Sequence, residues 1–152
     1  MLKFSEQQII DCNPSRWGCN GGWPEDIFAL WMIPQQIHAI ERLNYAAPPN
    51  DYITGQNTTC NPNSAAGSDA YPVGSLTWYA ATNNPSAYVN GLKNGPMLVY
   101  IEADTYTFQG YRSGIINSSC CFSGRSLNHV VVLVGWSNDA QQSSWIIRNS
   151  WG

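Results

Sequence analysis

Charge is scarce in this 152-residue sequence: 7 Lys+Arg and 10 Asp+Glu amount to only 11% of it, for a formal charge of −3. A typical soluble chain is about 25% charged, and disordered chains combine high charge with few aromatics. Here 43% of residues are apolar and 12% aromatic, with seven tryptophans, so the chain has the material for a buried core. The basic residues form no run, which removes the footprint of a nucleic-acid binder. Met1-Leu2-Lys3-Phe4-Ser5-Glu6 has no apolar signal-like stretch. The longest aliphatic run, Val130 to Val134, is far below the ~18 residues of a membrane span. As written, the sequence is expected neither to target itself nor to cross a bilayer. Histidine is rare as well, with two residues, which leaves few general acids or bases for neutral pH.

The five cysteines, at positions 12, 19, 60, 120 and 121, show no paired C-x2-C spacing of a zinc site. With two N-x-[ST] sequons, at Asn57-Thr58-Thr59 and Asn117-Ser118-Ser119, they read as disulfides of a secretory-pathway protein, with Asn57 and Asn117 as glycosylation candidates. Five is odd, which raises the question of a partner cysteine outside this chain.

Length allows one domain or two small halves, since about 100 to 200 residues per domain is usual. Ser5-Glu6-Gln7-Gln8 is a capping box, with Phe4 and Ile9 placed as a hydrophobic staple, and starts a short helix carrying Ile9, Ile10 and Cys12. Asn13-Pro14-Ser15 breaks it, and Gly18-Cys19-Asn20-Gly21-Gly22 makes a tight turn. A second helix follows, with Pro24 first, Glu25 and Asp26 at its N-terminus, and Ile27, Leu30 and Trp31 on one face until Pro34. From about Asn44 to Gly74 the composition is that of a loop, stapled by Cys60. Asn84-Pro85 starts a helix through Leu92, stopped at Gly95. Met97 to Ala103, His129 to Trp136 and Ser144 to Arg148 read as strands, the middle one buried on both faces. Helices first and strands after make an α+β class.

His38, between Ile37 and Ala39 at the end of a helical stretch, reads as a surface or partly satisfied imidazole rather than a catalytic one. His129 differs, because it opens an apolar strand where a polar residue needs a partner or a task. Asn149, on a second strand that could pair with the first, offers an amide to fix the tautomer of His129 and leave its other nitrogen for a nucleophile. That is a Cys-His-Asn arrangement without its cysteine.

Ser5-Glu6-Gln7-Gln8, Asp11-Cys12, Gly18-Cys19-Asn20-Gly21-Gly22, Gly95-Pro96, Asn128-His129 and Asn149-Ser150-Trp151-Gly152, in this order, resemble the papain family of cysteine peptidases, nearest its cathepsin L-like group. The resemblance implies a two-subdomain papain-like fold with a helical left part, 1–74, and a β-barrel-like right part, 75–152, truncated at both ends. It implies His129 as general base and acid, Asn149 as its orienting amide, and Trp151 as a shield over their hydrogen bond. Gly21 and Gly22 would bind the substrate backbone. Trp23 and Pro24 would wall the pocket for the second residue before the scissile bond, opposite Tyr100, Asn128 and Val130. Tyr100 is larger than the family's usual residue there, which implies a narrowed pocket. Cys12 with Cys60 is the implied disulfide, while Cys19 and one of Cys120 or Cys121 would pair outside the span.

In the family the reactive cysteine precedes the Ser-Glu-Gln-Gln helix, so the chain is expected to be an inactive piece of a cysteine endopeptidase. Loss of the family's central helix would leave Ile9, Ile27 and Trp31 exposed and the isolated chain poorly soluble. Cys120 or Cys121 as a substitute nucleophile, and a metal held by His38, His129 and cysteines, have no supporting pattern. The alternatives are a pseudopeptidase that binds peptides, against which the retained His129 and Asn149 argue, and a disulfide-rich structural domain. No cofactor is implied. The expected partners are a peptide or protein substrate and protein inhibitors, for a monomer that is lysosomal or secreted.

Overall fold

Ser5 opens the first helix of the computed structural model, in which residues 3–13, 17–28, 38–40, 60, 70–72, 84–117, 126–139 and 142–151 are described. Its Oγ accepts from the Gln8 backbone N–H at 3.1 Å, so the cap legible in Ser-Glu-Gln-Gln satisfies one of the helix's orphan donors. Helix α1 runs Glu6–Cys12 and buries Gln7, Gln8, Asp11 and Cys12. Ile9 and Ile10 are only half-buried. The buried side is thus largely polar, and Gln7 Nε2 donates to Asp11 Oδ1 at 2.7 Å one turn on. A 3-10 turn, Gly18–Asn20, leads to α2, Pro24–Ile27, with Glu25 and Asp26 in its first turn. The expected continuation towards Pro34, with Leu30 and Trp31, lies outside the described residues.

The chain divides into two compact units, Met1–Thr77 and Trp78–Gly152. In the first, Cys12 and Ile27 form a small core to which Ile9, Phe28 and Cys60 are added. Ile27 is 4% exposed. This corrects the expectation that it would be left bare: the Cys12–Cys60 disulfide supplies apolar surface against which it packs. Strand β1, His38–Ile40, pairs antiparallel with β2, Ala70–Pro72, with His38 opposite Pro72. His38 is therefore in a strand, not at a helix end, and the stretch read as loop contains β2. Both errors share a cause, because β1 takes its partner from the far side of a Pro- and Asn-rich segment, beyond any local pattern. Phe4 meets Tyr71 of β2 edge-on, ring centres 5.5 Å apart.

In the second unit, Asn84 caps α3, Pro85–Leu92, by accepting from the Ser86 N–H at 3.1 Å. Three strands follow, β3 Met97–Ile101, β4 His129–Asn138 and β5 Ser143–Arg148, in the order β3-β4-β5 and all antiparallel. Helix α3 packs on β4, and Tyr88 meets Trp145 edge-on at 5.7 Å. Strand β4 is not buried on both faces. Val131 and Leu133 are buried, but Val134 and Trp136 are 44% and 36% exposed, the alternation of a half-covered strand. A bulge between Leu133 and Gly135 shifts the register against β5. A short helix that the sequence reading lacked, α4 at Tyr106–Gln109, is capped by Thr105 Oγ1, which accepts from the Phe108 N–H at 3.2 Å. Among the described residues no helix is long and apolar enough to cross a membrane.

Candidate active site

Antiparallel pairing brings the site together. On β4, His129, Val131 and Leu133 alternate onto one face, and Val131 and Leu133 are its buried members. Leu133 faces Ile147 and Val132 faces Arg148 across the ladder. Continued past Arg148, that register sets Asn149 beside Val131 and Trp151 beside His129, on the same face as the imidazole. The contacts agree. His129 Nε2 lies 3.0 Å from Asn149 Oδ1, and the rings of His129 and Trp151 are 4.7 Å apart with a 32° tilt.

The protonation of the imidazole follows from a second contact of the same amide. Asn149 Oδ1 also accepts from the Ser150 backbone N–H at 2.8 Å. A backbone N–H only donates, so the amide atom facing it is the oxygen. That oxygen can only accept, so His129 Nε2 must carry the hydrogen. In its neutral form the ring is then the Nε2–H tautomer, and Nδ1 holds the lone pair. Both residues are half-buried.

Aromatic stacking adds a layer that the sequence reading missed. Trp151, 51% exposed, lies on His129 on one side and meets Phe108 edge-on at 5.5 Å on the other. Phe108 is held in turn by α4, whose cap Thr105 is buried. Such aromatic pairs contribute about 0.5–1.5 kcal/mol beyond their buried area. The signal was present in the sequence, since Thr105 and Gly110 punctuate Tyr-Thr-Phe-Gln as a cap and a stop.

Asn128, expected to wall a substrate pocket, uses its side chain on the backbone: Oδ1 accepts from the Ala103 N–H at 2.8 Å. Its own N–H donates to the Ile101 carbonyl at 3.1 Å. The two bonds tie the start of β4, and so His129, to the end of β3. Tyr100 and Val130 are brought together as directly opposed residues of β3 and β4, on the sheet face away from His129 by the same alternation.

Gly21, Gly22, Trp23 and Pro24 belong to the first unit. Gly21 has φ +108°, which favours glycine, whereas a Cβ on Gly22 would stand 2.8 Å from Asn13 Nδ2, the end of a side chain. Trp23 is half-exposed and precedes Pro24, the first residue of α2. Cys12 and Cys60 form the disulfide. Asn117 is exposed; Asn57, Cys120 and Cys121 lie outside the described residues. Among the described residues no group of three or more His, Cys, Asp or Glu is placed to hold a metal ion.

The chain as a whole has clear relatives among solved structures. A solved cysteine protease of Carica candamarcensis, in complex with E-64, superposes with a TM-score of 0.72 at 31% identity, over 99% of this chain and 62% of that one. A digestive procathepsin L2 proteinase from the larval midgut of Tenebrio molitor gives 0.73 at 27% identity, over 100% and 44%. These define the α+β fold of papain-like proteases. The family model described as papain family cysteine protease matches residues 1–152, and the chain belongs to that family. It is 32% identical to Zingipain-2 of Zingiber officinale over 154 residues, covering all of this chain and 62% of that protein. Macrodontain-1 of Ananas macrodontes is likewise 32% identical, with 63% of its length covered. The chain thus spans less than two thirds of the length of these relatives.

Proposed function

We propose that the whole protein is an endopeptidase that hydrolyses peptide bonds with a cysteine thiolate, His129 and Asn149. The observation that carries this reading is the doubly engaged Asn149 amide oxygen, which commits Nε2 as a donor and leaves Nδ1 to the chemistry. Nδ1 takes the proton of the thiol, and the resulting thiolate attacks the peptide carbonyl carbon. As the tetrahedral intermediate collapses, the C–N bond breaks and the Nδ1 proton goes to the leaving amine. Nδ1 then takes a proton from water, whose oxygen attacks the thioester and releases the acid and the thiol. Throughout, the Nε2–H stays on Asn149, so the ring keeps its orientation in the neutral and the charged state. Trp151 covers the ring from one side and limits competition from water.

The nucleophile is proposed to lie in a part of the protein beyond these 152 residues, in keeping with the share of its relatives that the chain spans. The isolated chain would then bind peptide weakly and turn nothing over. Gly21 and Gly22 would receive the substrate backbone, with Trp23 and Pro24 beside them. Peptide-like and protein inhibitors would compete with the substrate. A monomer in a lysosomal or secreted compartment suits the disulfide and the sequons.

The test is thiol labelling of the full-length protein. A peptidyl epoxide should attach to one cysteine in a 1:1 ratio and abolish hydrolysis of a peptide substrate. Tight peptide binding with neither labelling nor hydrolysis would mean a pseudopeptidase instead.

A further inference from the structure

After α4 the chain turns back on itself at Gly114, whose φ of +88° is open to glycine and strained for other residues. The turn lets Tyr111 Oη donate to the Gly114 carbonyl at 2.8 Å. The ring is therefore fixed in direction although it is 51% exposed, and Ile115 beside it is 50% exposed. Together with Thr107, Arg112 and Asn117 they line a shallow cavity of about 370 Å³ that is open to solvent. An immobilised aromatic face, an aliphatic neighbour and a guanidinium with five donors suit a pyranose ring, which has an apolar C–H face and a rim of oxygens. The wall of this cavity is itself the start of a sequon, Asn117-Ser118-Ser119.

We infer that Asn117 carries an N-linked glycan and that its first N-acetylglucosamine seats in this cavity over Tyr111 and Ile115. The donor is a lipid-diphosphate-linked oligosaccharide. The Asn117 amide nitrogen forms a bond to the anomeric carbon and loses one proton. The bond from that carbon to the diphosphate oxygen breaks, and the lipid diphosphate leaves with the electron pair. The sugar then covers apolar surface that would otherwise face water, which ties its presence to stability. The inference rests on the secretory route proposed above and concerns surface that the peptidase chemistry does not use.

The full-length protein, secreted from a eukaryotic host behind a heterologous leader, tests it by peptide mass mapping. The leader secures entry to the pathway, so failure of the site and failure of the native route are read separately, the latter from secretion with the protein's own leader. The expected result is a hexosamine-bearing peptide at Asn117, lost in Ser119→Ala and converted to Asp by an N-glycosidase. A bare Asn117 in the secreted protein overturns the site. The seating is read by melting before and after native deglycosylation. Removal of the glycan should lower Tm in the parent, and lower it less in Tyr111→Phe, whose ring loses its tether to Gly114, and in Ile115→Ser, a substitution at an exposed position. An equal effect in all three, or none in the parent, overturns the seating.

Discussion

Asn149 Oδ1 stands 3.0 Å from His129 Nε2 and 2.8 Å from the Ser150 nitrogen, and the second contact fixes the sense of the first. Because the Ser150 backbone N–H can only donate, the amide cannot flip without setting its NH2 group against it. The backbone of one residue thereby determines which nitrogen of another is available for proton transfer.

Replacing Asn149 therefore tests orientation apart from proton transfer. In the full-length protein, Asn149→Ala should lower kcat with little change in KM, because the ring keeps its chemistry and loses its guide. The loss should be smaller than the roughly 10²–10⁴-fold that general acid–base catalysis supplies. Steady-state kinetics with a peptide substrate measures both constants.

Phe108 touches Trp151 and is not among the groups proposed to touch substrate. Phe108→Ala removes an edge-to-face pair of about 0.5–1.5 kcal/mol and should free Trp151 to leave the imidazole. The expected outcome is a red-shifted tryptophan emission together with a reduced kcat, both restored in part by Phe108→Leu or Phe108→Tyr. A changed Tm with neither effect would make Phe108 a packing residue only.

The Cys12–Cys60 bridge spans 48 residues of sequence and closes the core around Ile27. Loop-closure entropy for that length is about 4 kcal/mol. Cys12→Ser with Cys60→Ser should lower the denaturant midpoint of the first unit by a corresponding amount, measured by urea unfolding against the oxidised parent.

The two glycines before α2 should respond differently to alanine. Gly21→Ala meets φ +108° with ψ −165°, a region essentially reserved for glycine that costs an L-residue about 1–3 kcal/mol, with no neighbour to blame, since a Cβ there touches nothing within 4 Å. Gly22→Ala meets only the end of the Asn13 side chain, which can move. Thermal melting should show the larger loss for Gly21→Ala.

Local chemistry explains which features were legible in the sequence. Ser5, Asn84 and Pro85 act through neighbours within a turn of helix, so their caps could be read directly. The strands at Met97, His129 and Ser144 were visible from their aliphatic runs, and family motifs marked His129 and Asn149. What remained hidden depends on distance along the chain. His38 is a strand residue only because Pro72 stands opposite. Asn128 Oδ1 accepts from the Ala103 N–H, 25 residues away. Strand β4 is exposed beyond Leu133 because the three-stranded sheet leaves Val134 and Trp136 uncovered, which no composition rule reports.

The most direct test of the account is single-turnover acylation by the full-length protein, comparing the parent with His129→Ala at matched thiol content. The account predicts that His129→Ala still binds the peptide but forms acyl-enzyme slower by roughly 10²-fold or more, the share that a positioned acid–base group contributes. Acylation at the parental rate in His129→Ala would contradict it.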